Sequence, residues 1–575
     1  MESKWMLYTK RADFKKISAR FHISPVLARI IINRDIKEED FSLYLKSDLS
    51  LMHDAGSLYG VEDAYNEIMG EIKKGNKIRV VGDYDIDGVC SSYILVKSLK
   101  RFGANVDVRI PDRIKDGYGI NDNIINEAAN DKISMIITCD NGIAAHSQME
   151  LARKLGIKVI ITDHHEVYQE DGKDYLPVAD VVINPKRSEC KYPFKSICGA
   201  LVAYKLMEYM YERLYGKKMY DDGELGDLLE VAAIATIGDV MPLVDENRVL
   251  VKHGLRSLMN TKNLGLRALI KATGMEGKKI SAYSIGFVIG PCLNAGGRLE
   301  NALVALNMFM SRNSDEANEY AMHLKELNDE RKDLTAMNVK VAVELAEREY
   351  ADDDILVIYL ENCHESIAGI IAGRVREALG KPAIILTDAF GEDGMIKGSG
   401  RSIESYNMFE ALYEVKDIFE KFGGHHMAAG MSLKKDRLDE FRKRLNENSK
   451  LTKEDFIQKI WIDVPLPFSY ISLDFVRELE KLEPYGNKNE KPKFARKGIK
   501  ILSKNILGKN KNVVKMVLED DGTRLDGIYF CDGEAFFEEL KGNNEIDIIY
   551  YPDINEYGGR ESLQVIITGY KIKNI

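Results

Sequence analysis

Three acids at alternate positions, Asp83, Asp85 and Asp87, follow the apolar run Ile78–Val81 and end on Gly88. The pattern matches the opening of an EF-hand calcium loop, but the glutamate that closes such a loop falls on Ile94, and the motif follows a strand-like run rather than a helix. Apart from a solvated turn, this leaves a cation site at the carboxyl end of a parallel strand, where open α/β sheets bind ligands. Further candidates arrive in similar places. Asp140 closes Met135–Cys139, Asp163-His164-His165 closes Lys158–Thr162, and Asp239 follows Ala232–Gly238. One such Asp is usually a helix cap, and an adjacent His pair is often surface decoration. A whole series, each member ending an apolar segment, points to one rim of one site. Acids gathered there repel each other unless cations intervene. Hard divalent ions suit carboxylates, and an imidazole tilts the choice from Mg²⁺ towards Mn²⁺. Zinc fits less well, because no cysteine accompanies the acids. A pair of ions about 3.5–4 Å apart would activate a water and clamp a phosphoryl group.

These residues need a scaffold. From residue 78 short β-branched runs (Ile78–Val81, Val106–Ile110, Met135–Cys139, Val159–Ile161) alternate with helical stretches such as Ala144–Leu155. Continuous apolar strands with intervening helices predict a parallel sheet covered on both faces. Helices follow over Leu228–Ile237 and Leu264–Thr273, then a long amphipathic one over about 314–349 without Pro or Gly. A second α/β unit begins at Asp354, with strands Ile355–Leu360 and Ala383–Leu386 around the helix Ile367–Leu379. Short alternating strands (Val513–Leu518, Leu525–Phe530, Ile546–Tyr551, Leu563–Thr568) predict a β-barrel or sandwich at the end of the chain.

The second unit offers Gly398-Ser399-Gly400-Arg401. It lacks the third glycine of a dinucleotide loop, whereas a hydroxyl beside a guanidinium suits a terminal phosphate. Phe422-Gly-Gly-His425 adds backbone that can approach a phosphate, with one titratable donor. Tyr118 either stacks on a base or packs its own loop. Between Lys491 and Met516 lie nine basic residues and no acid, Lys509 and Lys511 among them. Such a run is either a solvated face or, at a small barrel, a guide for a single strand. Phe494, Tyr529 and Phe530 are either stacking rings or barrel core.

Taken in order, Asp83-Tyr-Asp-Ile-Asp87-Gly, Asp140-Asn-Gly, Asp163-His-His and the Asp239 segment resemble the four motifs of the DHH phosphoesterase superfamily. Over nearly the whole chain the resemblance extends to its bacterial single-strand-specific exonucleases, through Ile23-Ser-Pro25, Pro111-Asp-Arg113, Asn294–Arg298, Gly398–Arg401, Phe422–His425 and Glu483-Pro-Tyr-Gly486. It implies Asp85, Asp87, Asp140, His164 and Asp239 as ligands of two Mn²⁺ or Mg²⁺ ions. Asp83 and Asp163 would support them, and His165 would lie near the reacting phosphate. Ser399, Arg401, Arg113 and Arg298 would pocket the 5′ end between the catalytic lobe and a second lobe, DHHA1. Two departures stand out. Cys363-His364-Glu365-Ser366 replaces the family's Trp-His-Pro-Gly, and Cys292 stands where an Arg is common.

The expected architecture is α/β: an N-terminal helical extension (1–60), a parallel-sheet DHH domain (61–310), a connecting helix (311–350), a DHHA1 domain (351–450) and an OB-like barrel (451–575). The expected activity is metal-dependent 5′→3′ hydrolysis of single-stranded DNA to mononucleotides in repair and recombination. A single-strand-binding protein and a helicase are expected partners of a monomer. Two alternatives stand: a DHH phosphodiesterase of oligoribonucleotides or cyclic dinucleotides, and an inactive single-strand-binding scaffold. The appended β module argues against the first, and the intact acids against the second. No G-x-x-x-x-G-K-[ST] loop supports a motor.

Composition agrees. A chain of 575 residues with 45% hydrophobic and 30% charged residues is neither disordered nor a single small core. Its net charge of −10 argues against a protein coated in positive charge, but not against a local basic groove. The seven scattered cysteines, without a C-x-x-C pair, read as reduced residues of a cytoplasmic protein. Nothing resembles a signal peptide or a membrane span.

Overall fold

The structure, a computed structural model, describes residues 3–572. Two compact units are formed: Met52–Met241 with His253–Gln458, and Ser3–Leu51 with Pro242–Lys252 and Lys459 onward.

The first unit carries the parallel sheet. Its strands are β1 (Lys77–Val81), β2 (Asn105–Arg109), β3 (Met135–Cys139), β4 (Lys158–Thr162) and β5 (Val181–Ile183). They run in the order β2-β1-β3-β4-β5, all parallel. Because both faces are covered, β3 is buried at every position. One face packs Ile124, Ile125 and Met149 against Val81, Ile136, Val159 and Ile161. Helix α1 (Ile86–Arg101) leaves β1 through the Asp motif, with Asp85 as its cap. Helices α2 (Gly199–Tyr215) and α3 (Leu228–Gly238) pack on α1. The acids at the ends of β1, β3 and β4 therefore share one edge of the sheet, the carboxyl edge where open α/β sheets bind ligands.

Helix α4 (Ser314–Glu349) has the extent that its uninterrupted pattern predicts, about 54 Å at 1.5 Å per residue. Ala317, Ala321 and Leu324 are buried in its first half. Ala342 and Ala346 join Leu356, Ile371 and Ile385 in the core of a second, mixed sheet. That sheet orders β6 (Leu356–Tyr359), β7 (Ala383–Asp388), β8 (Met395–Arg401), β9 (Phe419–His425) and β10 (Ala428–Lys434) as β9-β10-β8-β7-β6. Helix α5 (Ala368–Leu379) covers the same face as α4.

In the second unit five strands, β11 (Phe494–Leu507), β12 (Val513–Asp520), β13 (Thr523–Phe530), β14 (Glu545–Tyr557) and β15 (Arg560–Ile572), close into a barrel through β11–β14 pairing. Its core is continuous with the N-terminal helices: Ile17, Leu27, Ile30 and Phe41 share one cluster with Phe468, Phe494 and Tyr550. Residues 3–51 thus stand not alone but with the barrel, because their short helices can bury an apolar face only against it.

All seven cysteines are free, and six of them are buried. Among the described residues no helix is long and apolar enough to cross a membrane.

Candidate metal centre and substrate cleft

The expected ligands converge. His164 Nε2 lies 3.1 Å from Asp140 Oδ1, 3.6 Å from Asp87 Oδ2 and 3.7 Å from Asp239 Oδ2. Donor atoms of Asp83, Asp85 and Asp140 lie within 4.8 Å of one another, as do those of Asp87, His164 and Asp239 and those of Asp140, His164 and His165.

The backbone explains the convergence. Asp85 Oδ1 caps α1, accepting from the Asp87 and Gly88 amides at 2.9 and 3.1 Å. Asp87 accepts from the Gly199 and Ala200 amides at 2.6 and 2.8 Å, so the first turn of α2 holds it. Gly199 is required there, since a Cβ would stand 2.8 Å from Asp140 Cβ. Asp140 itself adopts φ 61°, and Val240, immediately after Asp239, adopts φ 55°. Left-handed backbone is costly for a non-glycine residue, most of all a β-branched one, and such strain gathers at functional sites. Asp239 caps the C-terminus of helix α3 and is not a strand-end residue.

The acids are forced together at an electrostatic cost. Burial and the neighbouring Asp85 charge raise the Asp83 carboxyl to about 8. Burial and the charges of Asp87 and Asp85 do the same to Asp239. Asp87 and Asp140 are also raised, by burial first. Burial holds His164 below the ordinary imidazole value, leaving it in the neutral form that is able to coordinate a cation. Asp83 Oδ2, Asp239 Oδ2 and His164 Nδ1 are buried with no hydrogen-bond partner. Buried polar atoms are rarely left so. Orphaned carboxylate oxygens, mutual repulsion and a neutral imidazole fit two hard divalent cations.

Asp163 and His165 are arranged differently. Asp163 Oδ1 accepts from the His164 and His165 amides and lies 2.7 Å from His165 Nδ1, while its Oδ2 accepts from the Ile143 amide. Burial opposes charge on His165, but the bond to Asp163 and its charge prevail and raise the imidazole to about 9. Tyr118, 53% exposed, donates to the Asp140 carbonyl at 2.8 Å and sets its ring edge-on to His165 at 5.8 Å.

A cleft of about 570 Å³ between the two sheets of this unit is lined by Tyr84, Arg113, Tyr118, Arg298, Ser399 and Arg401, among others. Arg298 Nη1 donates to the Ser366 carbonyl at 2.7 Å, and Arg401 Nη1 to Ser399 Oγ at 2.8 Å. Arg113 lies over the Tyr84 ring at 4.7 Å. None of the three guanidinium groups forms an ion pair among the described residues. Burial, then the charges of Arg113 and Arg331, lowers Arg298 to about 10; burial, then Arg376, lowers Arg401. A Cβ at Gly369 would lie 2.8 Å from Arg401 Nη2 and 3.0 Å from Ser399 Oγ, so the first turn of α5 faces the same spot. Cations without counter-ions beside a helix N-terminus have the chemistry that suits an anion.

Other expected residues lie elsewhere. His425 is exposed at the end of β9, opposite Ala428, and does not line the cleft. Lys509 and Lys511 belong to the second unit, in the turn joining β11 to β12, where Lys511 pairs with Glu534. The acid-free stretch is not a bare basic face. Strand pairing brings Asp520 to Arg496 at 2.8 Å and Asp526 to Lys515 at 2.8 Å, and Lys493 meets Glu490 at 3.0 Å. Lys497, Lys500 and Lys509 make no ion pair among the described residues. Phe494 is fully buried core, whereas Phe530 is 65% exposed. Sequence reasoning missed Tyr84 and Gly369, whose roles depend on packing with no local signature. Glu365, noted in the sequence only as part of the Cys363–Ser366 departure, places an acid in the cleft 3.9 Å from Lys397.

The family models agree with this architecture: the DHH family N-terminal domain matches residues 77–236, the DHHA1 domain 352–450 and the RecJ OB domain 462–569. The chain is 36% identical to the single-stranded-DNA-specific exonuclease RecJ of Bacillus subtilis, over 96% of this chain and 69% of that protein. It is 33% identical to the same-named protein of Escherichia coli, over 95% of both. RecJ of Thermus thermophilus, solved in complex with Mn²⁺, superposes with a TM-score of 0.84 at 25% identity, covering 100% of this chain and 80% of that one. The chain belongs to the RecJ family of DHH phosphoesterases.

Proposed function

We propose that this protein is a metal-dependent exonuclease that degrades single-stranded DNA from the 5′ end to mononucleotides, in DNA repair and recombination. The observation that carries this reading is the pairing, within one unit, of a carboxylate–imidazole cluster with a cleft of unpaired guanidinium groups. One set suits cations that act on a phosphodiester, and the other grips a terminal phosphate. Asp85, Asp87, Asp140, His164 and Asp239 would hold two ions, Mn²⁺ or Mg²⁺. When bound, the ions would polarise the scissile phosphate and promote attack by water.

The chain's own residues do the rest. Arg298, Arg401, Ser399 and the amides at the start of α5 bind and orient the terminal phosphate. Asp163 fixes the His165 ring through Nδ1 and keeps it protonated, so that Nε2–H can donate to an oxygen of the reacting phosphate. Tyr118 and Tyr84 present rings on which the terminal nucleotide can rest. Asp83 accepts from the Gly119 amide at 3.2 Å and so ties the Tyr118 loop to the acids. Lys509 and Lys511 would serve a strand running over the barrel. Recruitment by a single-strand-binding protein and a helicase, a monomeric state and a cytoplasmic location belong to the same proposal. The appended barrel, with its matched OB domain, supports a long substrate.

A substrate panel with Mn²⁺ tests it: single-stranded DNA, blunt duplex, and di- to pentaribonucleotides. Digestion of the single strand alone is expected. Cleavage confined to the short oligoribonucleotides would replace this reading with an oligoribonuclease.

A further inference from the structure

Just before the helix Gly290–Leu299 the chain makes a π-helical turn, Ile285–Ile289. Such turns are rare and concentrate at functional sites. The inner face of this one is tied to the metal-bearing segments. A Cβ at Gly286 would lie 3.8 Å from Ile237 Cγ2, just ahead of Asp239, and one at Gly290 would lie 3.3 Å from Ile86 Cδ1. The Ile86 amide, between Asp85 and Asp87, donates to Asn294 Oδ1 at 2.9 Å.

The outer face is apolar and open. Tyr283 is 67% and Phe287 63% exposed, and their rings stack at 4.7 Å with planes 27° apart. Val240, next to Asp239, is 66% exposed, and Lys278 and Lys279 are exposed on the approach to the turn. Large rings grouped in water forgo the hydrophobic stabilisation they would gain under a partner. Aromatic faces flanked by lysines suit a partner with flat apolar surfaces on an anionic backbone. A nucleobase strand has that chemistry, and stacking tolerates any sequence.

We propose that Tyr283 and Phe287 form a stacking ledge for a base of the single strand, downstream of the nucleotide being removed, at the rim of the metal centre. This rests on the exonuclease reading above. It makes the ledge a positioning element that holds the strand between successive cleavages and leaves the chemistry alone.

The test compares wild type with Phe287→Ala, Phe287→Leu and Phe287→Trp on oligothymidylate of about 30 nucleotides. KM should rise about tenfold in Phe287→Ala and Phe287→Leu, with kcat little changed, and return towards wild type in Phe287→Trp. Hydrolysis of bis(p-nitrophenyl) phosphate, too small to reach the ledge, should be unaffected. On a strand abasic everywhere but its 5′ nucleotide, wild type and Phe287→Ala should converge. Equal KM values on oligothymidylate, an equal loss on the abasic strand, or recovery with Leu would overturn the ledge. Failure of the wild type to digest oligothymidylate would instead refute the exonuclease reading itself.

Discussion

Replacing Arg401 with Met separates what the cleft does for substrate from what it does for the fold. The guanidinium donates to Ser399 Oγ and to the Gly400 carbonyl, both at 2.8 Å, and has no carboxylate partner among the described residues. Burial and Arg376 depress its pKa, so the folded protein holds a desolvated cation that nothing neutralises. A terminal phosphate would supply the missing anion. One charge-assisted hydrogen bond contributes about 1.5–3 kcal/mol. Losing the Arg401 fork, with Arg298 and Arg113 still present, should cost ~2.5 kcal/mol, or about 70-fold in kcat/KM on a 5′-phosphorylated strand. A 5′-hydroxyl strand, which never used the fork fully, should lose only a few-fold. Removing a half-buried charge with no carboxylate partner should leave the melting temperature unchanged or raise it. Steady-state kinetics on the two strands, beside a thermal melt, measures all three. Equal losses on both strands, or a lowered melting temperature, would refute the assignment of Arg401 to the terminal phosphate.

Three further outcomes follow from the site. Asp163→Asn removes the negative charge beside His165 Nδ1, so kcat should fall about 100-fold, and the alkaline limb of its pH profile should move down from the region near 9; an unmoved limb would remove His165 from the reaction. Asp83 and Asp239 are raised to about 8 in the fold, so they favour folding fully below their unfolded value and that contribution is lost as pH rises through about 8. Metal-free protein should therefore melt lower at about pH 8.5 than at about pH 6, and Mn²⁺ should abolish the difference; a flat metal-free profile would mean the acids are not in conflict. Gly199→Ala places a Cβ 2.8 Å from Asp140 Cβ and pushes α2 off Asp87. Mn²⁺ affinity by calorimetry should drop about 10- to 100-fold while circular dichroism stays unchanged, and undiminished affinity would show that α2 does not position Asp87.

What the sequence made legible was whatever has a local grammar. An acid at the end of an apolar run is readable because parallel strands end at a ligand edge, and Asp83, Asp140 and Asp163 lie where that grammar puts them, whereas Asp239 reaches the same rim from the C-terminus of helix α3. Helix α4 was readable because its pattern runs unbroken from Ser314 to Glu349. Features that depend on partners distant in sequence were not. The basic stretch looked acid-free until strand pairing set Asp520 and Asp526 against Arg496 and Lys515, and the helix Gly533–Leu540 set Glu534 against Lys511. His425 shares a motif with Phe422, yet strand β9 carries it past the cleft that Phe422 lines. The N-terminal helices read as an extension because their core partners, Phe468 and Tyr550, lie more than 400 residues away.

The direction of attack on a single strand is the central claim. A single-stranded oligodeoxynucleotide carrying one fluorophore on its first nucleotide and a different one on its last, digested with Mn²⁺ in a single turnover, tests it directly. The first label should appear as a mononucleotide at once and the last only after a lag that grows with strand length, with both lost in Asp140→Ala. Simultaneous release of the two labels, release of the 3′ label first, or activity surviving in Asp140→Ala would contradict the account.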